Sequence, residues 1–268
     1  MHDIAYEHYP ETVPWLVRVY YKYYFPRFAK RADRIATVSD FSKNDIVKQY
    51  HVDPAKIKVV YNGCNEAYQP VDESMKESIR SIWTGGKPYF IYIGSINPRK
   101  NIGNLLLAFE KYKTETKSDT QLLLIGKKMF MGNELENILR DLNYKNDIQF
   151  LGRVEDVSEV NNLISSSIAM TYVSVFEGFG IPCLEAMRCG TDVIASATSS
   201  LPEVCGEAGF YVDPLSIDSI SEGMKKIASD SGLRQVLINK GLEQSQKFSW
   251  QKTSELLWQL IEDCIKRE

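Results

Sequence analysis

The sequence predicts an α/β fold: one complete, doubly wound parallel sheet with helices on both faces, joined to part of a second unit of the same kind. Three observations predict it. Apolar runs at residues 89–93, 121–125, 148–151, 168–173, 193–195 and 210–212 alternate with helical stretches, as successive βαβ units do. These runs are short and β-prone, as strands buried on both faces require. A polar segment from Gln69 to Lys87, with Pro70 near one end and Gly85-Gly86 near the other, separates this unit from an earlier strand–helix–strand pattern.

Composition narrows the function before any motif does. The chain has 268 residues, 44% hydrophobic and 25% charged, which suits a globular enzyme with one large core or two modest ones. A net charge of -3 offers no global field for nucleic acid, so anion binding must come from local clusters. No stretch reaches the length of a membrane-spanning helix, and no charged-then-apolar leader opens the chain. Five cysteines without a Cys-x-x-Cys pair argue against a disulfide framework and for a reducing cytoplasm. His2, His8 and His51 are too scattered for a metal site, and no Asp-x-Asp pair offers carboxylates for a divalent cation, so no bound metal is expected.

In chain order, Met1-His2-Asp3-Ile4 reads as the end of a strand or loop begun in mid-stride. Trp15 to Lys30 mixes seven aromatics with Arg18, Lys22, Arg27 and Lys30 in a helical pattern that Pro26 should break. Packing of those aromatics inward, with the cations in water, is the favoured reading. Peripheral contact with an anionic membrane surface is the other. Arg34 to Val38 is a strand, Ser39-Asp40-Phe41-Ser42 caps a helix through Tyr50, and Ile57 to Tyr61 is a strand closed by the turn signal Asn62-Gly63. Beyond the last apolar run, 217–228, 233–248 and 250–265 read as amphipathic helices.

The stretch Phe176-Glu177-Gly178-Phe179-Gly180-Ile181-Pro182-Cys183-Leu184-Glu185 links a buried strand to a helix. Its glycines allow a tight turn and close backbone approach, and Pro182 suits the start of a helix. The amides of Gly180, Ile181 and Cys183 are expected to face outward, where phosphate binds well. Glu185 would repel a phosphate and is better matched to hydroxyls, so phosphate amides and hydroxyl-binding carboxylates together suggest a nucleotide sugar. The alternative is a solvated Glu177 and a Glu185 that only complements the helix dipole. Gly94 to Asn101, after the first strand of the large unit, places Arg99 and Lys100 beside a helix start, where they can clamp a diphosphate. Gly126-Lys127-Lys128 and Gly152-Arg153-Val154 follow the next two strands. No Gly-x-Gly-x-x-Gly follows a strand in this unit, which disfavours a nicotinamide dehydrogenase.

Glu177 and Glu185 together resemble the Glu-x7-Glu motif of the family 4, or group 1, retaining glycosyltransferases of the GT-B fold. Pro98-Arg99-Lys100-Asn101, Thr37-Val38-Ser39-Asp40-Phe41-Ser42 and Lys56 to Gly63 resemble further elements of that family, in the same order. The resemblance implies that Glu177 contacts the transferred sugar and Glu185 the ribose. It further implies that Arg99 and Lys100 meet the diphosphate, and that His2, in a His-Asp pair, reaches the sugar. Gly94, Gly178, Phe179, Gly180 and Ile181 would line the nucleotide sugar, with Arg153 and Val154 near the base. Where many relatives have Arg after the glycine this chain has Ser95, so Arg99 would carry more of the phosphate contact. The implied activity is retaining transfer of mannose or a similar hexose from a GDP- or UDP-linked donor to a glycan or lipid-linked acceptor, in surface-polysaccharide assembly. Rivals are a nucleotide-sugar-binding fragment needing a partner chain, and another GT-B activity such as an epimerase or phosphorylase. The implied domains are a partial acceptor-side unit at 1–70, a donor unit at 86–250 and a final helix, 251–268, packing back toward the first. Most of the acceptor unit is expected to be missing from this chain.

Overall fold

In a computed structural model, which describes residues 1–127, 129 and 134–266, the chain forms two parallel sheets of unequal size. The first unit holds α1 (Ala5–His8), α2 (Trp15–Arg31), β1 (Ile35–Thr37), α3 (Asp40–Tyr50) and β2 (Ile57–Val59). β1 and β2 pair in parallel, Ile35 beside Ile57, over a small core that includes Ile4 and Ile46. Residues 1 and 2 lie along the other side of β1: the terminal ammonium donates to the Ala36 carbonyl at 2.8 Å, and the Thr37 hydroxyl to that of His2. Ser39 caps α3 by accepting from the Ser42 amide at 3.0 Å.

Two expectations for the first unit fail at α2. The helix runs unbroken through Pro26. A proline forfeits the bond to the carbonyl four residues back, and on this water-facing stretch solvent can serve that group, while the Arg27 guanidinium donates to the next carbonyl, Tyr23. Nor do the aromatics pack inward. Trp15 is 71% exposed, and Leu16, Val19, Tyr20, Tyr23, Tyr24 and Phe28 are exposed too, because the small first unit can cover only one side of a helix whose aromatics are spread round it among cations. Only Ala29 is buried, with Tyr21 and Phe25 packed partly against the small core.

The Asn62-Gly63 pair does not turn; the turn falls at Glu66-Ala67. Glycine is needed at 63 because a side chain there would run into the backbone of Trp250, at the start of α12 (Trp250–Ile265). Thr253 on that helix also donates to the Tyr61 carbonyl at 2.7 Å. After the linker, α4 (Glu73–Thr84) is capped by Asp72 and closed by Gly85 in the left-handed region.

The large unit comprises β3 (Tyr89–Ile93), α5 (Ile102–Thr116), β4 (Gln121–Ile125), α6 (Glu134–Asp141), β5 (Ile148–Gly152) and α7 (Val157–Ser165). It continues through β6 (Ala169–Tyr172), α8 (Ile181–Arg188), β7 (Asp192–Ser196), α9 (Leu201–Cys205) and β8 (Gly209–Val212), then α10 (Ile217–Ser229) and α11 (Ser231–Ser245). All six strands are parallel, in the order β5-β4-β3-β6-β7-β8. β4 and β7 are buried along their whole length, including the polar Gln121, Asp192 and Ser196 at their ends, as a sheet covered on both faces requires. The order reverses between β3 and β6. Loops leaving these two strands must diverge to opposite faces, and the crevice between them, at the carboxyl ends, is where such sheets bind ligands.

Candidate active site

The floor of the crevice is backbone. Gly94, Gly126 and Gly152 end three neighbouring strands; the Gly94 amide donates to the Ile125 carbonyl at 2.9 Å and the Gly126 amide to that of Gly152 at 2.7 Å. At Gly126, φ is +150° and a Cβ would overlap the Gly94 carbonyl, so glycine is what lets these chain ends pack this closely. Ser95 turns inward to its own loop, its carbonyl accepting from Tyr92 and its hydroxyl from Asn97.

Arg99 and Lys100 sit on a single 3-10 turn, Pro98–Lys100, before α5. Asn101, at φ +60°, fixes that turn by donating to the Val173 carbonyl at 3.0 Å and the Pro214 carbonyl at 2.7 Å. The Val175 amide donates to the Arg99 carbonyl, so the loops after β3 and β6 are tied across the crevice. This brings both cations onto Glu177: Lys100 Nζ is 2.5 Å from one carboxylate oxygen and Arg99 Nη1 3.2 Å from the other. Glu177 is 6% exposed and Lys100 7%.

Burial alone would disfavour the Glu177 carboxylate, but Lys100 and Arg99 outweigh it and hold its pKa below the ordinary value. Burial pulls Lys100 down, with Glu177 acting against it. For Arg99, burial is outweighed by Glu177 and Asp3, and its pKa is raised. Two cations thus meet one carboxylate directly, with Asp3 a second negative charge near Arg99. Beneath the cluster lie the stacked rings of Tyr92 and Tyr172, 5.8 Å apart, and Lys100 donates to the Tyr172 hydroxyl at 2.7 Å.

The Glu177 loop is held from two sides. From the loop after β7, Ser199 accepts from the Glu177 amide and Ser200 donates to the carbonyls of Glu177 and Phe179. From the first unit, Ser39 and Ser42 donate to the Gly178 carbonyl at 2.6 and 3.2 Å. The Asp3 carboxylate lies where a Gly178 side chain would stand, 2.5 Å from its Cβ. Glu203 on α9 accepts from the amides of Asp40 and Phe41 at the start of α3. Tyr172, Ser199 and Ser200 escaped the sequence reading, because none of them stands in a motif or beside a charge in the chain; Asp3 and Ser39 stood in the His-Asp pair and the helix-capping element, but the sequence did not place either on the Glu177 loop.

Other expected residues fall less simply. Phe179 turns its ring into the core against Tyr61 and Phe248, so only its backbone can face a ligand. Gly180 has φ +106° and no room for a Cβ beside Leu201, while Ile181 is half-buried. The Cys183 amide does not point outward: it bonds the Gly180 carbonyl, because the helix begins one residue later and closes a turn there. Glu185 stands apart from the Glu177 cluster, beside Tyr68; burial pushes its pKa up to about 7, the Tyr68 hydroxyl acting slightly against this. Arg153 is exposed beside Glu155, and Val154 is half-buried at the edge of the core, both beyond the carboxyl end of β5. Lys128 lies outside the described residues. His2 is exposed, on a cavity of about 250 Å³ shared with Asn62, Trp250 and Thr253; its neighbour Asp3, not His2, meets the Glu177 loop. Among the described residues no three His, Cys, Asp or Glu side chains gather as a metal site.

A crevice at the switch point, with a second α/β unit gripping its central loop, defines a two-unit α/β architecture whose ligand site lies beyond the carboxyl ends of β3 and β6. Comparison with known proteins places it. Residues 75–244 match the family described as glycosyl transferases group 1, and residues 1–68 match glycosyltransferase family 4. The chain belongs to the group 1 glycosyltransferases and has the GT-B fold. It is 34% identical over 224 residues to O-antigen chain mannosyltransferase B of Escherichia coli, covering 82% of this chain and 58% of that protein. It is 31% identical to the O-antigen chain mannosyltransferase RfbU of Salmonella typhimurium, covering 85% and 59%. The chain thus spans under two thirds of the length of these relatives. Among solved structures, sucrose-phosphate synthase of Thermosynechococcus elongatus superposes with a TM-score of 0.80 at 22% identity, covering 94% of this chain and 63% of that one. Anabaena HepE, in complex with UDP and glucose, gives 0.80 at 21%, covering 98% and 70%.

Proposed function

We propose that this chain binds a GDP- or UDP-linked hexose in the crevice between β3 and β6, and that the protein transfers the sugar, mannose or similar, with retention to a glycan or lipid-linked acceptor. The buried Arg99–Glu177–Lys100 cluster carries the reading. A leaving nucleoside diphosphate gains negative charge as the sugar departs, and two fixed cations in a water-poor site stabilise that charge without reorganising. Glu177, already held by both cations, would orient the sugar hydroxyls, and Glu185 the ribose. The backbone around Gly94, Gly178 and Gly180 would line the diphosphate and sugar, with Arg153 and Val154 beside the base. The charge is assigned to Arg99 and Lys100 rather than to a divalent cation. The leaving diphosphate would take the acceptor proton on the face it leaves, a same-face route to retention. The names of the O-antigen mannosyltransferases support mannose as the sugar and surface-polysaccharide assembly as the setting.

Work at the cytoplasmic membrane surface fits the exposed aromatics of α2, interleaved with Arg18, Lys22 and Arg27. No helix among the described residues is long and apolar enough to cross a membrane. The two-stranded sheet of the first unit favours a second reading, in which this chain binds nucleotide sugar but transfers it only with further polypeptide. Calorimetry with GDP, UDP and their nucleosides, followed by product analysis with GDP-mannose and a lipid-linked acceptor, tests both readings. Diphosphate binding with an α-linked product supports transfer by this chain. Binding without turnover supports the second reading, and failure to prefer diphosphate over nucleoside refutes both.

A further inference from the structure

A second polar cavity lies at the opposite end of the large sheet. It measures about 470 Å³ and opens at the amino ends of β3, β4 and β6, a strand's length from the Glu177 cluster. Lys76 and Arg80 reach it from α4 and Arg234 from α11. Its other walls carry the hydroxyls of Ser118, Thr120 and Ser165 to Ser167. Three cations face two carboxylates. Glu73, largely in solvent, is shared by Lys76 at 3.3 Å and Arg80 at 2.7 Å; Asp192, buried, accepts from Arg234 at 3.0 Å.

Part of this charge answers the carbonyl ends of α5, α7 and α10, which converge here. That accounts for the presence of cations, but it does not account for an open cavity of small-ligand size walled with hydroxyls. Ser167 gives its proton to the carbonyl of Ile164, so its oxygen is left to accept, while Ser165 and Ser166, bonded to the carbonyls of Gln69 and Asn162, also meet Cys189 and Tyr89. The surround therefore offers cations for an oxyanion on one side and acceptors for hydroxyl protons on the other. We propose that this cavity is a binding site for a small sugar phosphate, its phosphate on Lys76 and Arg80 and its hydroxyls on the serine wall, separate from the donor crevice.

Glucose 6-phosphate, inorganic phosphate and glucose are the probes, titrated calorimetrically into the intact chain already saturated with GDP or UDP. Saturable binding of glucose 6-phosphate, undisturbed by nucleotide and tighter than that of phosphate or glucose, is expected. Arg80→Gln and Lys76→Gln should each weaken it about tenfold, the loss of one charge-assisted contact, and leave nucleotide affinity unchanged. Both residues lie on the outer helix α4, and unaltered circular dichroism would exclude misfolding. No binding at millimolar glucose 6-phosphate, displacement by nucleotide, or equal binding by the variants would overturn the proposal. Phosphate binding as tightly as glucose 6-phosphate would overturn the sugar site.

Discussion

Replacing Glu177 with Gln keeps its shape and removes the only carboxylate, among the described residues, that pairs with both Arg99 and Lys100. In the unliganded protein this leaves the buried Lys100 without a counter-charge and the half-buried Arg99 with Asp3 alone. Breaking a buried ion pair from one side costs about 3–5 kcal/mol of stability. A bound nucleoside diphosphate would bring negative charge to the same cations and offset part of that loss, whereas a nucleoside would not. Recovery of about 1.4 kcal/mol, a third or so of the penalty, tightens diphosphate binding about tenfold. Linkage requires the converse: saturating diphosphate must stabilise Glu177→Gln against heat more than it stabilises the parent protein. Calorimetry with GDP, UDP, guanosine and uridine, paired with thermal unfolding in each, measures both sides. A variant whose diphosphate affinity rises no more than its nucleoside affinity would refute the placement of the diphosphate on Arg99 and Lys100. A stability loss below about 1 kcal/mol would refute the claim that the cluster is buried and tightly paired.

Three further outcomes are expected. Gly178→Ala should destabilise the contact between the units by about 1–3 kcal/mol, because the new methyl meets the Asp3 carboxylate, and Asp3→Ala in the same chain should restore most of the loss in thermal unfolding. Glu203→Ala should cost about 1–2 kcal/mol by uncovering the Asp40 and Phe41 amides, seen as earlier proteolysis within the first unit; unchanged proteolysis would count against it. Glu185 has a raised pKa in the folded state, so its proton is bound more tightly there. Its contribution to stability is present below the ordinary carboxylate value and is lost as pH rises toward about 7. Glu185→Gln should therefore flatten the decline in stability between about pH 5 and 8, an effect of up to about 3 kcal/mol, and denaturant titrations at several pH values check it.

The strands of the large unit were legible because a parallel sheet covered on both faces demands unbroken apolar runs; Tyr89–Ile93 and Gln121–Ile125 are strands to the residue. Trp250–Ile265 was legible for the helical equivalent of that reason: Ser249 caps it and its apolar residues recur at helical spacing. Arg99, Lys100 and Glu177 announced themselves by charge beside turn-forming residues. Sequence could not say that they touch, since 77 positions separate Lys100 from Glu177 and only the β3–β6 pairing makes them neighbours. It misjudged α2, because periodicity records which residues are apolar and not how much surface is available to cover them. It read Asn62-Gly63 as a turn, because a glycine demanded by the distant Trp250 backbone looks the same in sequence as one demanded by local φ and ψ. Local propensity and burial pattern are written residue by residue along the chain. The hold that Asp3, Ser39 and Ser200 keep on the Glu177 loop depends on which strand ends the topology brings together, and only the tertiary structure decides that.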